Sequence, residues 1–250
     1  MSPLWTEHTL WLGRDRAALA GHSRLPARGL PLAQLGVSET GPAAAASALL
    51  AATPRGRWRA GVELVLGSPW VRYQLLPWQE GVHTDAEWAD YARALMRPQF
   101  GTATDGWRVR VADAPYGAVR LAAAVDESLC VSLAEAVVAR GQKLASIEPA
   151  LMQVYNRHRR TLRHTEFALL VLEDSLLTCA VASAGDWRGV VSLPLAGDLA
   201  ATLRQAGGLL SIGMPEISYL AATRRPAQLP AQCQWLGPIA PAFATLEAAC

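Results

Sequence analysis

Residues Glu166–Leu193 read EFALLVLEDSLLTCAVASAGDWRGVVSL. Three apolar runs stand out: Glu166–Leu172, Leu176–Ser183 and Trp187–Leu193. Glu173-Asp174-Ser175 and Ala184-Gly185-Asp186 separate them. Runs of this length, divided by short polar or Gly-containing connectors, predict strands joined by tight hairpin turns. The stretch therefore reads as an antiparallel three-strand meander. Asp198 then caps a predicted helix that stops at Gly207-Gly208. Ile217–Ala222 reads as a further strand, and Gln232–Leu236 as one more.

The same order appears at the start of the chain. Thr9–Gly13 reads as a strand, Arg14-Asp15-Arg16 as a turn and Ala17–Gly21 as the return strand. Residues 22–41 are rich in Pro and Gly and read as loop, with room for one short strand. Gly41-Pro42 opens an Ala-rich helix that stops before Thr53-Pro54. Arg55–Arg59 is a basic turn, and Val62–Gly67 a buried strand.

An inserted piece follows, at about residues 68–124. Val71–Leu76 is a strand closed by Pro77-Trp78. Thr84-Asp85-Ala86-Glu87 is a capping box, in which Thr84 caps the amide three residues on and Glu87 reaches back. Trp88, Tyr91, Ala92, Leu95 and Met96 recur at helical spacing, and Pro98 is expected to end that helix. Trp107–Val111 and Val119–Ala124 pair across the Pro115–Gly117 turn. Asp126 caps another helix, with Leu129, Leu133, Ala136 and Val137 on its face and Gly141 as C-cap. Leu144–Ile147 is a short strand. Pro149 opens a helix carrying Leu151, Val154 and Tyr155.

A meander feeding a helix and a parallel strand is the ribonuclease H-like unit, and here it occurs twice. The expected fold is α/β and actin-like. Residues 1–163 form a first ribonuclease H-like subdomain carrying the inserted piece. Residues 164–250 form a second, truncated one.

Composition narrows the function classes. The 250 residues carry a formal charge of +2, are 51% hydrophobic and only 18% charged, which excludes a disordered chain. So small a charge gives no call for nucleic acid. Of 23 basic residues, 22 are Arg and Lys143 is the single lysine, which excludes any two-lysine mechanism. The cysteines, Cys130, Cys179, Cys233 and Cys250, form no C-x-x-C pair. Cys130 and Cys179 lie in apolar segments, as small core residues do. Met1–Gly21 carries Glu7, Arg14, Asp15 and Arg16 and no apolar signal core. The longest apolar run, Ala43–Ala52, is far short of the ~20 residues of a membrane span. A cytoplasmic protein is expected, peripheral to a membrane only through a partner and without direct insertion.

With these elements placed, the chain resembles the actin-like platform proteins of pilus and secretion systems. These are the type IV pilus protein PilM and the cytoplasmic domain of the type II secretion protein GspL. The stretches that carry the resemblance are Val71-Arg72-Tyr73-Gln74-Leu75-Leu76-Pro77 before the acidic helix start Thr84–Glu87, and Ala145-Ser146-Ile147-Glu148-Pro149 before a helix. The resemblance implies a cytoplasmic adaptor that recruits an inner-membrane platform protein, with a motor ATPase as a second candidate partner.

Actin-like ATPases hold phosphate on two hairpins of Asp-x-Gly type. The Asp organises Mg²⁺, and the Gly lets backbone amides approach the phosphates. In the first hairpin here Gly13 matches, but Trp11 stands in the Asp place. In the second, Val171 and Glu173 take the Asp and Gly places. Asp15 is the only carboxylate near the first hairpin. For the adenine-side turn the candidates are Gly207-Gly208 and Gly213, though a Gly pair after a helix also serves as a plain C-cap. No P-loop motif occurs. These loops predict a pseudo-ATPase: no catalytic residues, no cofactor and no metal. A two-metal ribonuclease H nuclease needs acidic residues on its first strand, and Thr9–Gly13 has none.

Other chemistry is weakly represented. Arg157–His164 is the one basic cluster. It suits an acidic partner or phosphate, and equally the solvated C-terminal end of a helix. Nucleic-acid binding would want a wider patch with stacking aromatics, so no nucleic-acid partner is expected. The histidines His8, His22, His83, His158 and His164 form no metal-ligand spacing. No G-x-S-x-G occurs, and Lys143 reads as a loop residue. The tryptophans say more. Trp70 and Trp78 flank a strand, with Arg72 and Tyr73 between them and Pro77 restricting strand pairing. Trp, Tyr and Arg dominate interface energetics. Trp70, Arg72, Tyr73, Pro77 and Trp78 are therefore the candidate partner-binding residues, for a short apolar segment of a membrane protein. Two alternatives stay open: a nucleotide-binding actin-like ATPase, and a generic protein-interaction domain.

Overall fold

A computed structural model describes residues 6–21, 33–36, 41–52, 61–195 and 197–239. The expected basic turn Arg55–Arg59, most of the 22–41 loop, His22 and Cys250 lie outside these. In chain order the elements are β1 (Thr6–Leu12), β2 (Arg16–Gly21), β3 (Ala33–Gly36), α1 (Pro42–Ala52), β4 (Gly61–Leu66) and β5 (Arg72–Leu76). Next come α2 (Asp85–Phe100), β6 (Trp107–Val111), β7 (Arg120–Asp126), α3 (Glu127–Ala139), β8 (Lys143–Pro149) and α4 (Ala150–His158). The chain continues with β9 (Glu166–Glu173), β10 (Leu176–Ser183), β11 (Asp186–Pro194), α5 (Leu199–Leu210), β12 (Ser218–Ala222) and β13 (Cys233–Pro238).

By compactness the chain forms two units, residues 1–70 with 126–153 and residues 71–125 with 154–239; residues 240–250, grouped with the first, are not described. The first unit holds a five-stranded sheet of order β3-β2-β1-β4-β8. β1 runs antiparallel to β2 and parallel to β4, and α1 and α3 pack together. On α3 the buried positions are Cys130, Leu133 and Val137. The buried face is thus turned slightly from the expected one, and Leu129 and Ala136 are only half-buried.

The second unit holds a sheet of order β11-β10-β9-β12-β13. Here too the central strand, β9, is antiparallel to the meander strand β10 and parallel to β12. Strand for strand the two orders match, as a duplicated ribonuclease H-like unit requires. Every residue of Phe167–Glu173 is buried, so this strand reads as a continuous apolar run rather than an alternating one. Leu170, Cys179, Leu203 and Leu220 meet in its core. The second meander turn places Ala184 at φ 54° and Gly185 at φ 88°, the two left-handed residues of a type I′ hairpin.

The second unit also carries the inserted piece, a three-stranded sheet of order β5-β7-β6 with α2 against it. Leu76, Trp88, Ala92, Met96, Val109, Ala122 and Ala124 form its core. The expected capping box is present: the Glu87 N–H donates to Thr84 Oγ1 at 3.2 Å, and the Thr84 N–H to Glu87 Oε2 at 2.8 Å.

Three expected boundaries shift. α2 passes through Pro98 to Phe100 and ends where the N–H of Gly101, at φ 63°, donates to the Arg97 carbonyl. A proline in the last turn removes one donor and leaves few later bonds to disturb. Pro149 closes β8 rather than opening α4. α5 runs through Gly207-Gly208 to Leu210 and stops at Ser211, at φ 55°. A Cβ on Gly207 would lie 3.0 Å from Met214 Cγ, so that glycine makes room for the chain returning over the helix.

Candidate functional site

The loop positions that hold phosphate in an Asp-x-Gly hairpin can be located here by register. Leu12 pairs with Ala17 and with Leu66, and Leu172 pairs with Leu177 and with Ala222. The N–H of Gly67 donates to the Leu12 carbonyl at 2.8 Å, and the N–H of Thr223 to the Leu172 carbonyl at 3.0 Å. Leu12 and Leu172 are thus equivalent, which makes Trp11 equivalent to Val171 and Gly13 to Glu173.

Both positions are filled. Trp11 is 1% exposed. A Cβ built on Gly13 would lie 2.7 Å from Trp11 Cζ3 and 2.8 Å from Cζ2. Gly13 is therefore required for seating an indole. Its carbonyl accepts the indole N–H of Trp70 at 2.8 Å. Asp15 is exposed in the turn beyond. In the second hairpin the side chain of Glu173 is buried, at 3% exposure. Asp174 follows at φ 50°. Its N–H donates to Thr223 Oγ1 at 3.2 Å, and that hydroxyl faces Asp174 Oδ1 at 3.4 Å. Among the described residues no three of His, Cys, Asp and Glu gather as a metal ion requires.

The five predicted partner-binding residues fall in both units. Trp70 belongs to the first unit, and its N–H is committed to the first hairpin. Arg72, Tyr73, Pro77 and Trp78 belong to the second. Successive strand residues point to opposite faces. The face of β5 that carries Leu76 packs on α2, so Arg72 shares that face and Tyr73 takes the other. Arg72 and Pro77 are exposed, and Tyr73 is half-buried. β5 is an edge of its small sheet, but β11 lies alongside it.

Trp78 is half-buried and begins an aromatic column. Its ring centroid lies 4.6 Å from that of Tyr116 and 5.8 Å from that of Trp88. Trp88 in turn meets Tyr91 at 6.0 Å. The Arg120 guanidinium sits 4.6 Å above the Trp88 ring, a cation–π contact. Tyr116, in the β6–β7 turn, is 86% exposed although its ring packs on Trp78. Sequence reasoning missed both Tyr116 and Arg120. Only the Pro115–Gly117 turn hinted that a tyrosine would be displayed there.

An open groove of about 680 Å³ lies at the other end of the second sheet from the Glu173 hairpin, lined by His164, Glu166, Ser183, Arg188, Met214 and Glu216 among others. The Ser183 hydroxyl donates to Glu166 Oε1 at 2.8 Å. Among the described residues no helix is long and apolar enough to cross a membrane.

Two sheets of one topology and one loop register define an actin-like fold. No family model matches the chain, and no curated protein matches it by sequence. Solved structures do. The chain is similar to the cytoplasmic domain of EpsL, an inner-membrane component of the type II secretion system of Vibrio cholerae. That similarity has 10% identity and a TM-score of 0.63, over 97% of this chain and 94% of that one. It is also similar to a chain of the PilM–PilN type IV pilus biogenesis complex, at 16% identity and a TM-score of 0.58, over 88% and 82%. A Bacteroides thetaiotaomicron protein with an actin-like ATPase fold and unknown function matches at 12% identity and a TM-score of 0.61, over 98% and 96%.

Proposed function

We propose that this chain is a non-catalytic cytoplasmic adaptor of a type IV pilus or type II-like secretion platform, and that it holds an inner-membrane partner. The observation that carries the reading is the filled pair of loop positions. Phosphoryl transfer needs a metal-organising carboxylate and amides open to the phosphates. Trp11 supplies neither and lies under Gly13. Glu173 puts a side chain where the second glycine would be. The likeness to EpsL and to the PilM–PilN complex, over most of the chain, supports a platform role. The inferred partner is a platform protein of the inner membrane, with a motor ATPase as the second candidate. The aromatic column at Trp78, with Arg72 and Pro77 exposed nearby in sequence, is the inferred seat of its apolar segment.

Two measurements test the reading. Calorimetric titration with Mg-ATP is expected to give no binding at micromolar nucleotide; micromolar affinity would overturn the non-catalytic assignment. Affinity purification from detergent-solubilised membranes of the native host is expected to recover an inner-membrane pilus or secretion protein in fixed ratio. Recovery of unrelated proteins alone would overturn the platform assignment.

A further inference from the structure

The basic cluster after α4 is not accounted for by the ends of the helix. Arg157 donates to the carbonyls of Pro238 and Ile239, at 3.4 and 2.5 Å. Arg159 and Arg160 lie beyond the helix, exposed, and neither has an ion-pair partner among the described residues. No carboxylate occurs between Glu148 and Glu166, and Glu166 is engaged by Ser183.

The turn that displays these arginines is fixed. The His158 carbonyl accepts from the N–H groups of Thr161 and Leu162, at 2.7 and 3.1 Å. Leu162 is buried, and the Tyr219 hydroxyl reaches the Thr161 carbonyl at 3.4 Å. Arg163 bends back, its Nε donating to the Arg160 carbonyl at 2.6 Å. Burial and then the neighbouring Arg157 hold the His158 pKa below its ordinary value, which disfavours its charged form. Arg159, Arg160 and Arg163 therefore stand on one short turn, with Arg157 on the last turn of the helix before it.

We infer that this turn docks on a surface of anionic phospholipid headgroups. The patch offers charge and almost nothing else. Tyr155, the nearest Trp, Tyr or Phe in the chain, is packed on Trp187 at 5.1 Å, the His164 ring lies 6.1 Å from that of Tyr219, and Leu162 faces inward. A protein partner would need an apolar centre, and a single-stranded nucleic acid would need stacking rings. Exposed arginine forks such as those of Arg159 and Arg160 suit a plane of phosphates, which a free fork grips in bidentate fashion. The inference goes beyond the adaptor reading and does not depend on it, since it concerns lipid and not the partner.

The test is sedimentation of the full chain with vesicles of phosphatidylcholine alone, and of phosphatidylcholine with about one-third phosphatidylglycerol. Binding is expected only to the second kind and is expected to weaken as salt rises. The double variant Arg159→Gln/Arg160→Gln is expected to lower the partition coefficient about 25-fold, at about fivefold per arginine. Its melting temperature is expected to be unchanged, because both side chains are in solvent. Equal binding to both kinds of vesicle, or undiminished binding by the double variant, would overturn the inference. So would tighter, arginine-dependent binding of an oligo-dT strand at the same salt.

Discussion

The indole of Trp11 occupies the space that a Cβ on Gly13 would enter. A glycine that looks like the remnant of a phosphate loop is thus held in place by packing. Gly13→Ala forces either the ring or the hairpin to move, an overpacking worth about 1–3 kcal/mol. Urea unfolding is expected to show that loss. A variant as stable as the parent would mean the ring shifts freely.

Tyr116 gives the sharper probe of the aromatic column. Trp78 supports Trp88, so Trp78→Ala is expected to cost about 1–3 kcal/mol of partner affinity and some fold stability as well. Tyr116 is exposed, and Tyr116→Ala is expected to leave the melting temperature nearly unchanged while weakening partner binding. Full affinity in the Tyr116 variant would place the partner elsewhere.

The capping box gives a pH signature. The Thr84 N–H, then the His83 N–H and then the Thr84 hydroxyl hold the Glu87 carboxyl below its ordinary 4.5. A depressed folded pKa contributes stability above the unfolded value, and that stability is lost as pH falls through the folded one. Below about pH 4.5, Glu87→Gln is expected to lose less stability than the parent does. Parallel curves for the two proteins across that range would show that the pairing contributes nothing.

Three thiols are expected to be silent. Burial pushes Cys179 up to about 12 and Cys233 up to about 11, and Cys130 is 1% exposed. In a Cys250→Ser background, a disulfide reagent at about pH 8 is expected to label none of them until urea is added. Rapid labelling of one equivalent would contradict this burial.

The meander was legible because its turns carry their own chemistry and its strands carry long apolar runs. The capping box was legible because it is local. What failed involved distance. Gly207 reads as a helix stop in sequence, yet it is kept by Met214 on the returning chain. Trp70 reads as a free anchor, yet its N–H serves a carbonyl 57 residues away. Tyr116 and Arg120 join the aromatic column only across a hairpin, so no spacing announces them. Arg72 and Tyr73 are a different case. The period of a strand alone puts neighbours on opposite faces, and that was there to be read.

The matched carbonyls of Leu12 and Leu172 bear on how descent can be traced in this protein. Backbone pairing is retained when side chains drift, because moving it would break a whole ladder at once. The two hairpins keep one geometry while a tryptophan under a glycine occupies one and a glutamate the other. Residue identity alone does not match the two hairpins to each other. Register does match them, so the internal repeat of this chain is better traced by aligning hydrogen-bonded pairs than letters.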